Sequence, residues 1–137
     1  MSAQAKQALE EALERFKVDT GTLHRLREDG LLHLEAWAGH IPDHLLPVIQ
    51  KIPVGKGIAG LAVERKAPVD MCNLQTDQSG DARPGAKSTG VRGSICVPMM
   101  RGEQAVGALG VATVKERIFT EAEIEDLMAL GRDLAKV

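Results

Sequence analysis

The chain has 137 residues, of which 44% are hydrophobic and 26% charged. That suits one globular domain able to bury a core without staples. Its net charge of -2 and its three aromatics, Phe16, Trp37 and Phe119, offer a polyanion neither a basic field nor stacking platforms, so nucleic acid is not an expected partner. No apolar run approaches the ~18 residues of a membrane span and no signal-peptide core opens the chain. Two cysteines, Cys72 and Cys96, make no disulfide framework, so the expected compartment is the cytoplasm, with no membrane contact.

Residues 3–17 read as a helix, with Ala5, Ala8, Leu9, Ala12, Leu13 and Phe16 on one stripe. Two short runs then flank Asp29-Gly30, a hairpin signal. Strict alternation on the second run would put Leu32, Leu34, Ala36 and Ala38 on one face. Residues 41–51, IPDHLLPVIQK, predict a short helix limited by Pro47. GIAGLAVERK predicts a second short helix and PVDM a short strand. Residues 73–90 hold one large apolar residue, Leu74; a loop this long inside a compact domain is usually functional or mobile. GSICVPMMR and QAVGALGVATV are nearly continuous apolar runs turning at Arg101-Gly102-Glu103, which predicts paired strands covered on both faces. Pro98 predicts a bulge or a gap in that ladder. The last segment, TEAEIEDLMALGRDLAKV, opens with a capping box, Thr120 to Glu123. The hairpins make the sheet mainly antiparallel, and the class is α+β.

Residues 52–60, IPVGKGIAG, set Gly55, Gly57 and Gly60 in G-x-G-x-x-G spacing, a pattern that can cradle a dinucleotide phosphate. Such a site needs a full strand before the turn, a long helix after it and a parallel strand beyond. Here only KIPV precedes the turn, about ten residues follow as helix, and hairpins lie elsewhere. The better reading is conformational: Gly55 and Gly57 open backbone angles closed to other residues, and Gly60 lets the short helix pack closely.

Three runs, IPVGKGIAGLAVERKAPVDMCN, GVRGSICVPMMRGEQAVGALGVAT and FTEAEIEDLMALGRDLA, resemble the signature segments of GAF domains over roughly residues 18–136. The resemblance implies a central antiparallel sheet of five to six strands with the terminal helices on one face. On the other face, short helices and a long loop cover a small-molecule pocket. Residues 1–17 would be an N-terminal helix and a candidate dimer element, and 18–137 the domain proper.

By the same resemblance, residues 41–66, including Ile58, and residues 73–90 would form the cover. Trp37 and alternate residues of the 93–100 strand would form the wall. Ser94, Cys96 and Pro98 share one side of that strand, and Ile95, Val97 and Met99 the other; the residues alone do not choose between them. Asp77, Asp81, Lys87 and Ser88 of the loop, with Arg92 at the strand entrance, are candidate contacts to a polar or anionic ligand. Solvated loop charges and a structural Arg92 are the alternatives.

The implied function is a small-molecule-binding sensory domain in signal transduction, stand-alone or N-terminal, with a homodimer through the terminal helices as a further expectation. Neither ligand nor cofactor is specified. The N-K-x-F-D-E-type motif of cyclic-nucleotide-binding GAF domains is missing, and neither cysteine has the aromatic surroundings of a bilin site. His24, His33, His40 and His44 are the candidates for a haem or metal ligand. His40 and His44 lie four apart, but no third ligand accompanies them, so no metal is expected.

The enzyme alternative is a free methionine-R-sulfoxide reductase or another thiol-redox catalyst using Cys72 and Cys96. That family places cysteines in the glycine turn and the loop. This chain has Ala59 in the turn and no cysteine in 73–90, so catalysis is not expected. A protein-interaction module with a vestigial pocket is the third alternative.

Overall fold

The computed structural model describes residues 2–71 and 92–136. The chain runs through helix α1 (Ser2–Phe16) and strands β1 (Thr20–Leu26) and β2 (Leu31–Ala38). A 3-10 turn (Asp43–Leu45), a single helical turn α2 (Leu46–Ile49), strand β3 (Lys51–Pro53) and helix α3 (Gly57–Arg65) follow. Strands β4 (Val69–Met71), β5 (Gly93–Arg101) and β6 (Gln104–Thr113) and helix α4 (Glu121–Ala135) complete the described elements. The strands form one sheet in the order β3-β2-β1-β6-β5-β4, and every adjacent pair is antiparallel. This is the α+β architecture expected, and it excludes the parallel crossovers of a dinucleotide fold.

The two faces of the sheet have different jobs. On one, Leu9 and Phe16 of α1 and Leu127 and Leu134 of α4 close over Leu23, Val97 and Leu109 in one buried core. The apolar stripe of α1 is thus turned onto its own sheet, and α1 shares a core with the rest of the chain. On the other face, Ile58 and Ala62 of α3 pack on Val69, Met71 and Cys96. Val63 packs on Leu32, Ile52 and Ala108.

Two irregularities set which residues face which way. In the β1–β2 pair, Leu23 is opposite Ala36 but His24 is opposite Leu34, so Glu35 is an extra residue. A bulge of this kind shifts the alternation by one. The expected common face of Leu32, Leu34, Ala36 and Ala38 is therefore split. Leu32 packs under α3, while Ala36 and Ala38 join the helix-side core. The bulge expected at Pro98 falls one step later, between Met99 and Met100, and Pro98 itself stays in register opposite Ala108. Strand β3 adds a sixth strand; its three residues pair with Leu31, Leu32 and His33.

The glycine turn behaves as its chemistry requires. Gly55 and Gly57 have φ of +89 and +67, angles that favour glycine. The Gly55 N–H donates to the Gly60 carbonyl at 2.9 Å, so the start of α3 closes back on the turn. No described helix is long and apolar enough to cross a membrane.

Candidate functional site

The face opposite α1 and α4 carries a cavity of about 180 Å³. Its floor follows from strand register. Thr20, Ala112 and Ser94 form one row across β1, β6 and β5. Thr22, Gly110 and Cys96 form the next, and His24, Ala108 and Pro98 a third. Directly opposed residues share a face, so the middle strand contributes only small residues while β1 supplies hydroxyls and an imidazole. Of these nine, Thr20, Thr22, His24, Ser94, Cys96, Gly110 and Ala112 line the cavity. The cover is apolar: Ile41, Leu45, Val48, Ile49, Ile52 and Ile58. The titratable side chains along the described wall are His24, His40, Lys56 and Cys96.

Gly110 deepens the floor. A Cβ at this position would stand 2.9 Å from Cys96 Sγ and 3.0 Å from Thr22 Oγ1, closer than ordinary packing allows. The thiol of Cys96 is buried, and burial pushes its pKa up to about 12. It is a protonated, weakly polar wall group at neutral pH rather than a thiolate.

His24 is 2% exposed, and its Nε2 lies 2.8 Å from the Ile49 carbonyl. A carbonyl only accepts, so Nε2 carries the proton and donates. Burial lowers the pKa of His24, with the Ile49 bond opposing less strongly, so the ring is the neutral Nε2–H tautomer. Its other nitrogen, Nδ1, is buried without a hydrogen-bond partner among the described residues. Through this bond β1 also anchors the end of α2, and the Leu34 N–H to Gln50 carbonyl bond at 2.9 Å reinforces that join.

The residues singled out from the sequence distribute unevenly. Ile58, Ser94 and Cys96 line the cavity together, which settles that the Ser94 side of β5, not the Ile95 side, faces it. Trp37 is opposite Thr22 and so shares the cavity's sheet face, but it is 40% exposed and is not among the cavity's lining residues. Arg92 is exposed and outside the lining; its backbone N–H donates to the Thr113 carbonyl at 2.8 Å. Asp77, Asp81, Lys87 and Ser88, and also Cys72, lie outside the described residues.

Among the described residues no cluster of three or more metal-ligating side chains occurs. His24 and His33 sit at adjacent paired positions, His24 opposite Leu34 and His33 opposite Arg25, and so face opposite ways. His33 Nε2 is 2.8 Å from Asp29. In the sequence His24 is one ligand candidate among four, and Thr20, Thr22 and Gly110 are not among the candidates. The available signal was alternation in Thr20–Leu26, which puts Thr20, Thr22 and His24 on one face of a strand that becomes central.

The architecture is thus an antiparallel sheet with helices on one face and a capped cavity on the other. The family model for the GAF domain matches residues 3–137, and the chain belongs to that family. Solved structures agree on the fold. The chain is similar to the type II free methionine-R-sulfoxide reductase of Thermoplasma acidophilum, with 23% identity over 98% of this chain and 89% of that one and a TM-score of 0.79. It is also similar to the Neisseria meningitidis free methionine-R-sulfoxide reductase in complex with its substrate, at 20% identity, 98% and 75% coverage and a TM-score of 0.81. The GAF domain of a phosphoenolpyruvate-protein phosphotransferase from Coxiella burnetii matches at 21% identity, 98% and 80% coverage and a TM-score of 0.81. No curated protein matches the chain.

Proposed function

We propose that the chain is a cytoplasmic sensory domain that binds a small molecule in the cavity above β1, β6 and β5 and passes its occupancy to α1 and α4. The carrying observation is the cavity itself, an apolar cover over a floor bearing Thr20, Thr22, His24 and Ser94. Ligand sites typically combine such apolar walls with a few converging polar groups. A ligand that prefers one arrangement of the cover biases every element coupled to it.

Native mass spectrometry of freshly purified protein, followed by thermal shift against a metabolite panel, tests the reading. A retained or stabilising small molecule that is lost on Gly110→Leu supports it. Absence of any binder in both measurements leaves the interaction module as the better description.

A free methionine sulfoxide reductase is the second reading. It is favoured by the likeness to the two reductases and by the place of Cys96 in the cavity wall. The raised thiol pKa of Cys96 and Ala59 in the glycine turn speak against it. Reductase activity in the wild type that disappears in Cys72→Ser/Cys96→Ser would establish the enzyme. Equal inactivity of both proteins would dismiss it.

A further inference from the structure

We propose that the molecule bound in the cavity is small, mostly apolar and not cationic, and donates a hydrogen bond from a hydroxyl, amide or ring N–H to Nδ1 of His24. The inference rests on the cavity being a ligand site and adds which ligand chemistry it selects.

The first argument is the fixed tautomer. The bond to the Ile49 carbonyl commits Nε2 to donation. The neutral ring then offers only a lone pair at Nδ1, so the missing partner is a donor. The second is burial. His24 lines the cavity, yet its Nδ1 has essentially no solvent-exposed area and no partner among the described residues. A buried acceptor left unmet is destabilising, and bulk water does not reach this one. For that bond the His24 ring, which lines the cavity, must present Nδ1 to a molecule seated there.

Size and charge narrow the class. An engineered apolar cavity of about 150 Å³ accepts benzene, so about 180 Å³ suits one ring or its aliphatic equivalent. The described wall brings no carboxylate to the cavity, so an ammonium donor would be buried unpaired, and a neutral donor is the better match. The aliphatic cover of Leu45, Ile49, Ile52 and Ile58 takes the apolar remainder of the ligand.

Matched probes test this in the full chain: phenol against toluene, and indole against benzofuran. Each pair conserves shape and differs in one donor. Binding is read by titration calorimetry, and the histidine ring nitrogens by two-bond proton–nitrogen correlation spectra. The expected result is a preference of about tenfold for phenol and indole, with the Nδ1 resonance of His24 moving toward that of a hydrogen-bonded acceptor only with the donor probes. In His24→Phe the preference collapses to about onefold while toluene still binds. Equal affinity within each pair, with an unmoved Nδ1 resonance, overturns the role of His24 and leaves the cavity as a ligand site. Failure of all four probes to bind overturns both readings. The wild-type measurements decide the matter even where His24→Phe does not fold.

Discussion

At the scale of single residues, the cavity is defined by what each floor position lacks or hides. Gly110→Ala places a methyl against Cys96 Sγ and Thr22 Oγ1, and crowding of this kind costs about 1–3 kcal/mol. Cys96→Ala removes one obstacle. In a double-mutant cycle by urea unfolding, the pair is expected to be less destabilised than the sum of its singles; strict additivity would show that the two do not touch. In a Cys72→Ser background, Cys96 is expected to react with iodoacetamide at pH 7.5 far more slowly than free cysteine, because burial pushes its pKa up to about 12 and shields the thiol. His24 gives a pH signature. Its ordinary value is 6.5 and burial holds the folded value lower. Above about 6.5 both states are neutral and stability is intact. As pH falls from there toward the folded value, the unfolded chain takes up a proton that the folded chain refuses, so stability declines by at most about 1.4 kcal/mol per pH unit. Below the folded value the loss is complete. Glu123 and Asp29 have lowered values, so their contributions are lost only at more acid pH. Unfolding curves from pH 7 to 5 are expected to slope less in His24→Phe; identical slopes would clear His24 of the effect.

At the scale of elements, the two ends of α4 are secured by different chemistry. At its start, Thr120 Oγ1 accepts from the Glu123 N–H at 3.1 Å and Glu123 accepts from the Thr120 N–H at 2.9 Å. Thr120→Ala is expected to cost about 1 kcal/mol in urea unfolding. At its end, Arg25 and Arg101 donate to the Leu134 and Ala135 carbonyls at 3.4 and 2.5 Å, where cations suit the helix dipole. Arg25 also pairs with Glu35 at 2.9 Å, their side chains 16% and 6% exposed. Arg25→Ala leaves a buried carboxylate unpaired and is expected to cost about 3 kcal/mol or more. Glu35→Ala leaves Arg25 its helix carbonyl and is expected to cost less; the reverse order would mean the carboxylate is not the stranded partner. The capping box and the helix stripes were legible because each is a local pattern with a fixed period. Strand β3 was not, since three residues carry no period and owe their state to β2. The Glu35 bulge was equally hidden. It is a property of pairing between two strands, and it moved Ala36 and Ala38 away from the face that alternation alone assigns them.

At the scale of the whole molecule, the class, the antiparallel sheet and the cavity side of α3 followed from hairpin signals and the family resemblance. The floor of the site did not, because it is assembled from three strands whose register sets Thr22, Gly110 and Cys96 side by side. Helix α1 belongs to this unit rather than to its margin: Leu9, Ala12 and Phe16 cover Leu23, Ala36 and Ala38. Deleting residues 1–17 is therefore expected to abolish cooperative thermal unfolding, and a truncated chain melting like the parent would make α1 an appendage. The floor also has a mechanical corollary. Leu109, Gly110 and Val111 are consecutive; Gly110 and Val111 border the cavity, while Leu109 and Val111 also belong to the helix-side core. Cavity and helix seat lie back to back, divided by a partition one peptide thick. Any bowing of β6 away from the cavity presses on the seats of α1 and α4, and any bowing toward it loosens them.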